Sequence, residues 1–543
     1  MTKQLKILLL LILMGIGVSY LVKGNKEKAD ILFYNGTIYT VDSVFSQVES
    51  VVVKDGKIIA TGTFDSMQSR FGLSVVHDLE GAVMFPGFID AHCHFYGYGM
   101  NSQKLELRGV ESLEALEQAV VEYSTRNKGE WILGRGWNEE HWEGAKEVNN
   151  LGLNRLFPDI PICLQRVDGH SVLANQAALD AAGITANTEI EGGDVIVKDG
   201  VMTGVLVDNA ASKLMAILPD ISDEQIQAAL FFAQKHCFAK GLTTVADAGL
   251  DLGVIKTMQA MTGDQLLMRV YAMSNPNDEE VAYFREHGPI DEARLKVRSF
   301  KLYGDGSLGS RSAWLKEAYC GDDSNFGLPQ ADTTYFKEIC AMARELGFQL
   351  NTHCIGDSAN AVFLKLYADA LNGLEDARWR IEHAQIVDPK DMAMFAELKV
   401  IPSVQPTHAI SDMHMAKDRL CGNLEGAYAY KSLLAHAGMI AFGTDFPVEK
   451  ISPLATFYTA VERKNDQGEL FEEQEAISRE DAIKAMTIWA AYACFMENEV
   501  GSIEIGKNAD FTILDTDLIT AEDLKNVQVL ATFVGGKQVY SGR

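Results

Sequence analysis

The chain lacks the marks of several protein classes. It contains no Cys-x-x-Cys pair; its eight cysteines, Cys93, Cys163, Cys237, Cys320, Cys340, Cys354, Cys421 and Cys494, are dispersed. Zinc ribbons and thioredoxin-type motifs are thereby excluded, and a disulfide scaffold is not expected at this size. Proline supplies only 12 of 543 residues, and no Pro-rich or Ser-rich linker interrupts the sequence. Basic residues are scarce: 48 Lys and Arg face 75 Asp and Glu, a formal net charge of −27. Such a surface repels nucleic acid and anionic lipid, so no nucleic-acid partner is expected. No G-x-S-x-G elbow occurs, which disfavours a serine-triad hydrolase. No Gly-rich loop leads into a helix in the form that cradles phosphate.

What is present is ordinary globular composition, 47% hydrophobic and 23% charged, enough for a large core. The first 25 residues read differently. Lys3 and Lys6 precede an apolar run from Ile7 to Val22, the pattern of a secretory signal. The run is short for a spanning helix, and Gly17-Val18-Ser19 is the nearest approach to a cleavage site. A cleaved signal peptide and an uncleaved membrane anchor both remain open. Either exports the rest of the chain, to the periplasm or beyond, or holds it at a membrane.

From residue 26 to 87 the pattern is short β-rich runs, with Asn35-Gly36 and Asp55-Gly56 as hairpin turn signals. The end of the chain, 496–543, repeats this style around Gly535-Gly536. Together these ends predict a small β-sandwich built from both termini. Between them, residues 88–495 alternate strand and helix. Strands are expected at 88–94, 243–249, 267–273, 298–304, 348–353, 378–384, 399–406 and 439–445, with helices such as Asp332–Leu346 and Ser358–Leu371. The fold class is therefore α/β, a (β/α)8 TIM barrel. A stretch from about 105 to 225 is too long for one crossover and carries its own strands. It reads as an insertion after the first barrel strand, over the barrel mouth.

Functional residues of such a barrel stand at the C-terminal ends of its strands. The first strand ends Asp90-Ala91-His92-Cys93-His94, and residues two apart face the same side. His92 and His94 thus form a ready pair of metal ligands. Later strands close with Lys301, His353, His383 and Asp445. A buried His, Lys or Asp without a partner is costly, so their shared position points to a shared ligand, a metal centre.

These features resemble the amidohydrolase superfamily of metal-dependent hydrolases. The phrases FPGFIDAHCH, KLYGDGSLGSRSA, HCIGDSA, RIEHAQ and GTDFPV look like its family 3 branch, which includes N-substituted formamide deformylases. The insertion motifs GRGWNEEHW and RVDGHSVLANQAAL look like that branch too. The resemblance implies that His92 and His94 bind one divalent metal, and His353 and His383 a second. Asp445 would bind the first metal and act as general base, then as acid to the leaving nitrogen. Lys301 would bridge the pair as a carbamate formed with CO2. Zinc suits such ligands, with iron or manganese as alternatives. A metal-bridging hydroxide would cleave an amide, formamide or cyclic amide of a small-molecule substrate. An ester or lactone hydrolase on the same centre, or a non-catalytic binding barrel, is the alternative.

Further substrate contacts are expected from the insertion and the strand ends. Trp137, Asn138 and His141 would belong to a lid. Asp168 and His170 follow an apolar strand, His170 as a donor to a substrate carbonyl. Asp305 and Arg311 flank the glycines after Lys301, Arg311 as a carboxylate binder, and His408 follows the seventh strand. By analogy with this architecture, a homo-oligomer is expected.

Overall fold

The computed structural model describes residues 26–542 apart from 127–129, 143–146, 220, 262, 264 and 375. The expected signal or anchor segment, 1–25, lies outside the described residues. Among them, no helix is long and apolar enough to cross a membrane.

Eight parallel strands form the central sheet: β1 Phe88–Cys93, β2 Leu242–Leu250, β3 Arg269–Ser274, β4 Leu295–Tyr303, β5 Gln349–Cys354, β6 Arg380–His383, β7 Ile401–Val404 and β8 Ala441–Phe442. They pair in chain order, and a short ninth strand, Ile290–Asp291, pairs antiparallel with β4. Nearly every residue in the parallel strands is buried, as expected where helices cover one face and barrel packing fills the other. The ring closes just beyond β8. The Asp445 N–H donates to the His92 carbonyl at 2.8 Å, and the His94 N–H to the Phe446 carbonyl at 2.7 Å. The barrel expectation therefore holds, with strand limits within a few residues of those read from sequence.

The helix Thr333–Leu346 shows why the intervening segments wrap the barrel. The Asp332 carboxylate caps it by accepting from the Tyr335 N–H at 2.8 Å. Phe336, Ile339, Cys340 and Ala343 follow at i, i+3, i+4 and i+7 and form its buried face. Gly347 ends it in the left-handed region at φ 67°, a conformation glycine adopts without penalty. Cutting Phe336 to Ala would cost about 3–5 kcal/mol.

The two chain ends share one eight-stranded sheet. The strand Val83–Pro86 is its seam: it pairs in parallel with Glu27–Tyr39 and antiparallel with Phe511–Leu514. Side chains alternate across it, so Phe33 and Leu32 enter different apolar clusters. A buried, bidentate pair ties this sheet to the barrel, Arg269 Nε donating to Asp510 Oδ2 at 2.6 Å. Asp55-Gly56 and Gly535-Gly536 do turn between antiparallel strands. Asn35-Gly36 does not. Its strand runs on from Glu27 to Tyr39, and the pair is a bulge, with Asn35 at φ 60° and the register shifting between Tyr34 and Ile38.

The insertion builds a six-stranded sheet of its own, including Leu105–Glu106, Ile132–Trp137, Ile162–Arg166 and Val201–Asp208. One disulfide, which the cysteine spacing did not suggest, joins Cys320 to Cys421. It ties the loop after β4 to the loop after β7. The other six cysteines are buried and free.

Candidate metal centre

The end of β1 and the segment after β8 build the first half of the site. Asp90 accepts two bonds from Thr444, from its N–H at 3.0 Å and its hydroxyl at 2.7 Å. Gly443 passes so close to β1 that a Cβ there would lie 2.6 Å from the His92 nitrogen. Asp445 is thereby carried to His92 and His94. His94 Nε2 lies 3.2 Å and His92 Nε2 3.6 Å from Asp445 Oδ1. Lys301 Nζ, from β4, stands 3.2 Å from His92 Nε2. His383 follows at 4.8 Å from His92 between ring centres, and His353 at 4.5 Å from His383. The β1, β4, β5, β6 and β8 ends thus bring together all six residues that the sequence singled out as ligands. His383 and Asp445 both adopt positive φ, 72° and 56°; for residues other than glycine this is strain of the kind found at functional sites.

Hydrogen bonds to the far ring nitrogens aim the near ones inward. His92 Nδ1 pairs with Glu382 Oε2 at 2.5 Å, His94 Nδ1 with the Ala248 carbonyl at 3.1 Å, and His383 Nδ1 with Gln405 Oε1 at 2.7 Å. With Nδ1 donating, Nε2 presents a lone pair. Asp445 Oδ1 is buried and has no hydrogen bond of good geometry. Lone pairs of two imidazoles facing a carboxylate oxygen repel it unless a cation lies between them. The donor set of His92, His94 and Asp445 therefore fits a divalent metal, and its ligand atoms lie within 4.8 Å of one another.

The second half is less simple. His353 Nε2 is turned to the Gly306 carbonyl at 3.2 Å, with Asp305 Oδ1 at 3.7 Å. The compact trio around His383 instead includes His408 and Asp445. His408 Nε2, buried and without a hydrogen bond, is 3.6 Å from Asp445 Oδ2. His408, expected only as a substrate contact, is thus within reach of a metal.

Charge states suit ligation. Burial, reinforced by Lys301, lowers His92 to about 4. Burial likewise holds His353 and His383 well below the usual imidazole range. Burial would raise Asp445, but the His94 contact and the neighbouring imidazoles hold it well below the carboxylate range. Burial lowers Lys301 to about 8 against the pull of Glu382 and Asp445. Burial opposes the charge on Glu382 too, yet the Arg380 guanidinium and His92 hold it at about 2.

Above these residues lies a cavity of about 1290 Å³, walled by the barrel mouth and the insertion sheet. His170 lines it, its Nδ1 bonded to Asp208 at 2.7 Å. Burial disfavours the imidazolium, but Asp208, then Asp168 and Asp305, raise His170 to about 9. Asp168 and Asn138 also line the cavity, both bound to Arg166, at 2.6 and 2.9 Å. Three expected contacts belong elsewhere. Trp137 is buried in the apolar core of the insertion against Trp142, its Nε1–H donating to the Leu164 carbonyl at 2.7 Å. Asp305 is fully buried and spends both oxygens on the Trp314, Ile355 and Gly356 amides, at 2.8–2.9 Å. Arg311 leaves the cavity to reach the Cys320 carbonyl and Tyr319. The His141 side chain lies outside the described residues.

Sequence reading missed Glu382 and Arg380, although their signal was available. They stand two apart in RIEH, so both face the barrel interior with no water to solvate them. They pair at 2.6 Å, and Glu382 then orients His92.

The chain is similar to known proteins along most of its length. A family model described as "Amidohydrolase family" matches residues 75–540. The chain is 34% identical to Protein LONG AFTER FAR-RED 3 of Arabidopsis thaliana, over 94% of this chain and 92% of that one. It is 26% identical to an N-substituted formamide deformylase of Arthrobacter pascens, over 94% and 98%. The crystal structure of a metal-dependent hydrolase from Pyrococcus horikoshii OT3 superposes with a TM-score of 0.75 at 27% identity, covering 91% of this chain and 98% of that one.

Proposed function

The chain belongs to the amidohydrolase family, and on that premise we propose that it hydrolyses a C–N bond of an amide, formamide or cyclic amide. The observation that carries this reading is the convergence of the His92 and His94 lone pairs on the buried Asp445 carboxylate. His92, His94 and Asp445 would hold one divalent ion, and His353 and His383 a second, with zinc as the first choice. Lys301 would be shared between them as a carbamate. When bound, the metals supply Lewis acidity, lowering the pKa of a water and polarising the scissile carbonyl.

The chain's own groups do the rest. Asp445 is anionic and buried, so it is poised to take a proton from the nucleophilic water and pass it to the leaving nitrogen. His170, kept protonated by Asp208, can donate from its other ring nitrogen to the oxygen on which charge develops. Burial lowers Lys301 to about 8, so more of its amine is free at neutral pH than in an ordinary lysine near 10.4. The free amine is the form that adds to CO2: nitrogen attacks carbon, the nitrogen loses a proton, and an anionic carbamate results.

The test is metal content by plasma mass spectrometry, after expression with zinc or manganese and bicarbonate, beside amine release from N-formyl and N-acyl amines. The Arthrobacter pascens relative is an N-substituted formamide deformylase, so formamides come first. Roughly two metals per chain with amine release is the expected result. A chain that binds no metal after reconstitution would overturn the reading. K301A should lower metal content; undiminished metal and activity there would remove Lys301 from the centre.

A further inference from the structure

Two cations in the cavity wall, Lys104 and Arg135, form no direct ion pair among the described residues. Lys104 precedes the edge strand Leu105–Glu106, which pairs in register with Gly134 and Arg135. Arg135 in turn sits opposite Gln165 on the next strand. Both cations line the cavity above the metal centre. Arg135 Nη1 donates to Gln165 Oε1 at 3.0 Å and Nη2 to the Val167 carbonyl at 2.9 Å, while Nε is buried with no acceptor. These partners are neutral. The Lys104 N–H donates to the Asn101 carbonyl at 3.0 Å, but its ammonium has neither a hydrogen bond nor an ion pair among the described residues.

The surrounding carboxylates are committed elsewhere. Asp168 holds Arg166, Glu140 holds Arg419, and Asp208 holds His170. Glu106 accepts from the Arg108 N–H. The other two guanidinium groups on the wall, Arg166 and Arg419, are therefore neutralised. In a chain of net charge −27, two unpaired cations on one concave face stand out. Holding them there is unfavourable, because partly buried charges lose water and repel each other. Burial, then Arg135, lowers Lys104; burial, then Arg108, lowers Arg135 to about 10. An arriving anion would remove that cost. His94, Lys301 and Asp445 line the same cavity as Lys104 and Arg135, so an anion held by these cations shares the space above the metal end.

On the hydrolase reading above, we propose that the substrate carries a carboxylate or similar anionic group, which Lys104 and Arg135 hold while its C–N bond lies at the metal centre. The simplest member of this class is an N-acyl or N-formyl amino acid. Each Nη of Arg135 makes one hydrogen bond and keeps a second N–H for a carboxylate oxygen, and an ammonium beside it adds a point charge. The anion site thus falls on the insertion sheet, far along the chain from Arg311, where the sequence had suggested one.

The experiment uses the full, metal-loaded chain and two probes that differ only in the acid group: N-formylphenylalanine and N-formyl-2-phenylethylamine. Binding is measured by titration calorimetry in the D445N background, and amine release with Asp445 intact. The acid is expected to bind about tenfold or more tightly than its neutral partner, as one charge-assisted pair provides. K104Q and R135Q should each bring that ratio toward one. Lys104 has no partner to lose, so K104Q keeps the test meaningful if R135Q folds poorly. Equal binding of the two probes would overturn the proposal. So would a preference that survives both substitutions, because the carboxylate would then sit on the metals. If neither probe releases amine yet the preference exists and falls in K104Q, the anion site stands and C–N hydrolysis fails. If both release amine with no preference, hydrolysis stands and the anion site fails.

Discussion

Asp445 is bonded through its own backbone to the ligand it faces: its N–H donates to the His92 carbonyl at 2.8 Å. The same contact closes the barrel. The position of the carboxylate is therefore set by the main chain, and its chemistry can be removed without removing the closure. D445N should fold and keep metal, since His92 and His94 remain, but should lose about 10²–10⁴-fold in kcat. Metal analysis beside steady-state kinetics checks this. A variant within threefold of the parent would show that Asp445 is not the base.

Glu382 acts through His92. It is fully buried between Arg380 and the His92 ring, with contacts of 2.6 and 2.5 Å. E382Q keeps the shape but weakens the hold on the His92 tautomer. Metal affinity should fall about 10–100-fold, as when the partner of a ligating histidine is lost. E382A should also destabilise the fold by about 3–5 kcal/mol, because the Arg380 charge is left buried and unpaired. Competition with a chelator reads the first effect and urea unfolding the second. Unchanged chelator competition in E382Q would refute the positioning role.

The barrel was legible because short β-rich runs alternate with helical patterns through residues 88–495, and β1, β4, β5, β6 and β8 each close at or near a candidate ligand. What stayed hidden depended on contacts distant in sequence. Trp137 sits at the end of an apolar strand as a lid residue would, but its indole finds a core made by Trp142 and Leu164. Asp305 follows Lys301 in a glycine-rich loop, and only the fold shows that three backbone amides claim it. Asn35-Gly36 has the turn composition, yet Tyr34 and Ile38 pair with one and the same strand. No spacing rule could join Cys320 to Cys421, 101 residues apart.

His353 and His408 compete for the place beside His383. The geometry gives His408 the closer approach to Asp445, while His353 is held by Gly306 and neighbours His383 ring to ring. On the proposed mechanism, His353 turns from a carbonyl to a metal, and His408 faces substrate. H353N should therefore lose about one metal per chain, and H408N should keep both and raise KM. The reverse pattern of metal counts would make His408 the ligand.

His170 and Asp208 give a pH signature that is separable from the metals. In the metal-free protein His170 is raised to about 9, with Asp208 the main opponent of burial. The ordinary imidazole value is about 6.5. A group that binds its proton more tightly when folded stabilises the fold fully below 6.5, and that contribution is lost as pH rises through about 9. Its ceiling is about 3 kcal/mol, since each pKa unit is worth about 1.4 kcal/mol. Lys301 titrates in this window, and burial lifts the free cysteines above it only while the chain is folded, so the informative quantity is the difference between the parent and D208N. Urea unfolding across the window should show D208N less stable at pH 6 and the two curves converging toward pH 9 and above. Parallel curves would mean that His170 does not hold its proton through Asp208, and its role as a donor to the substrate oxygen at neutral pH would fall with it.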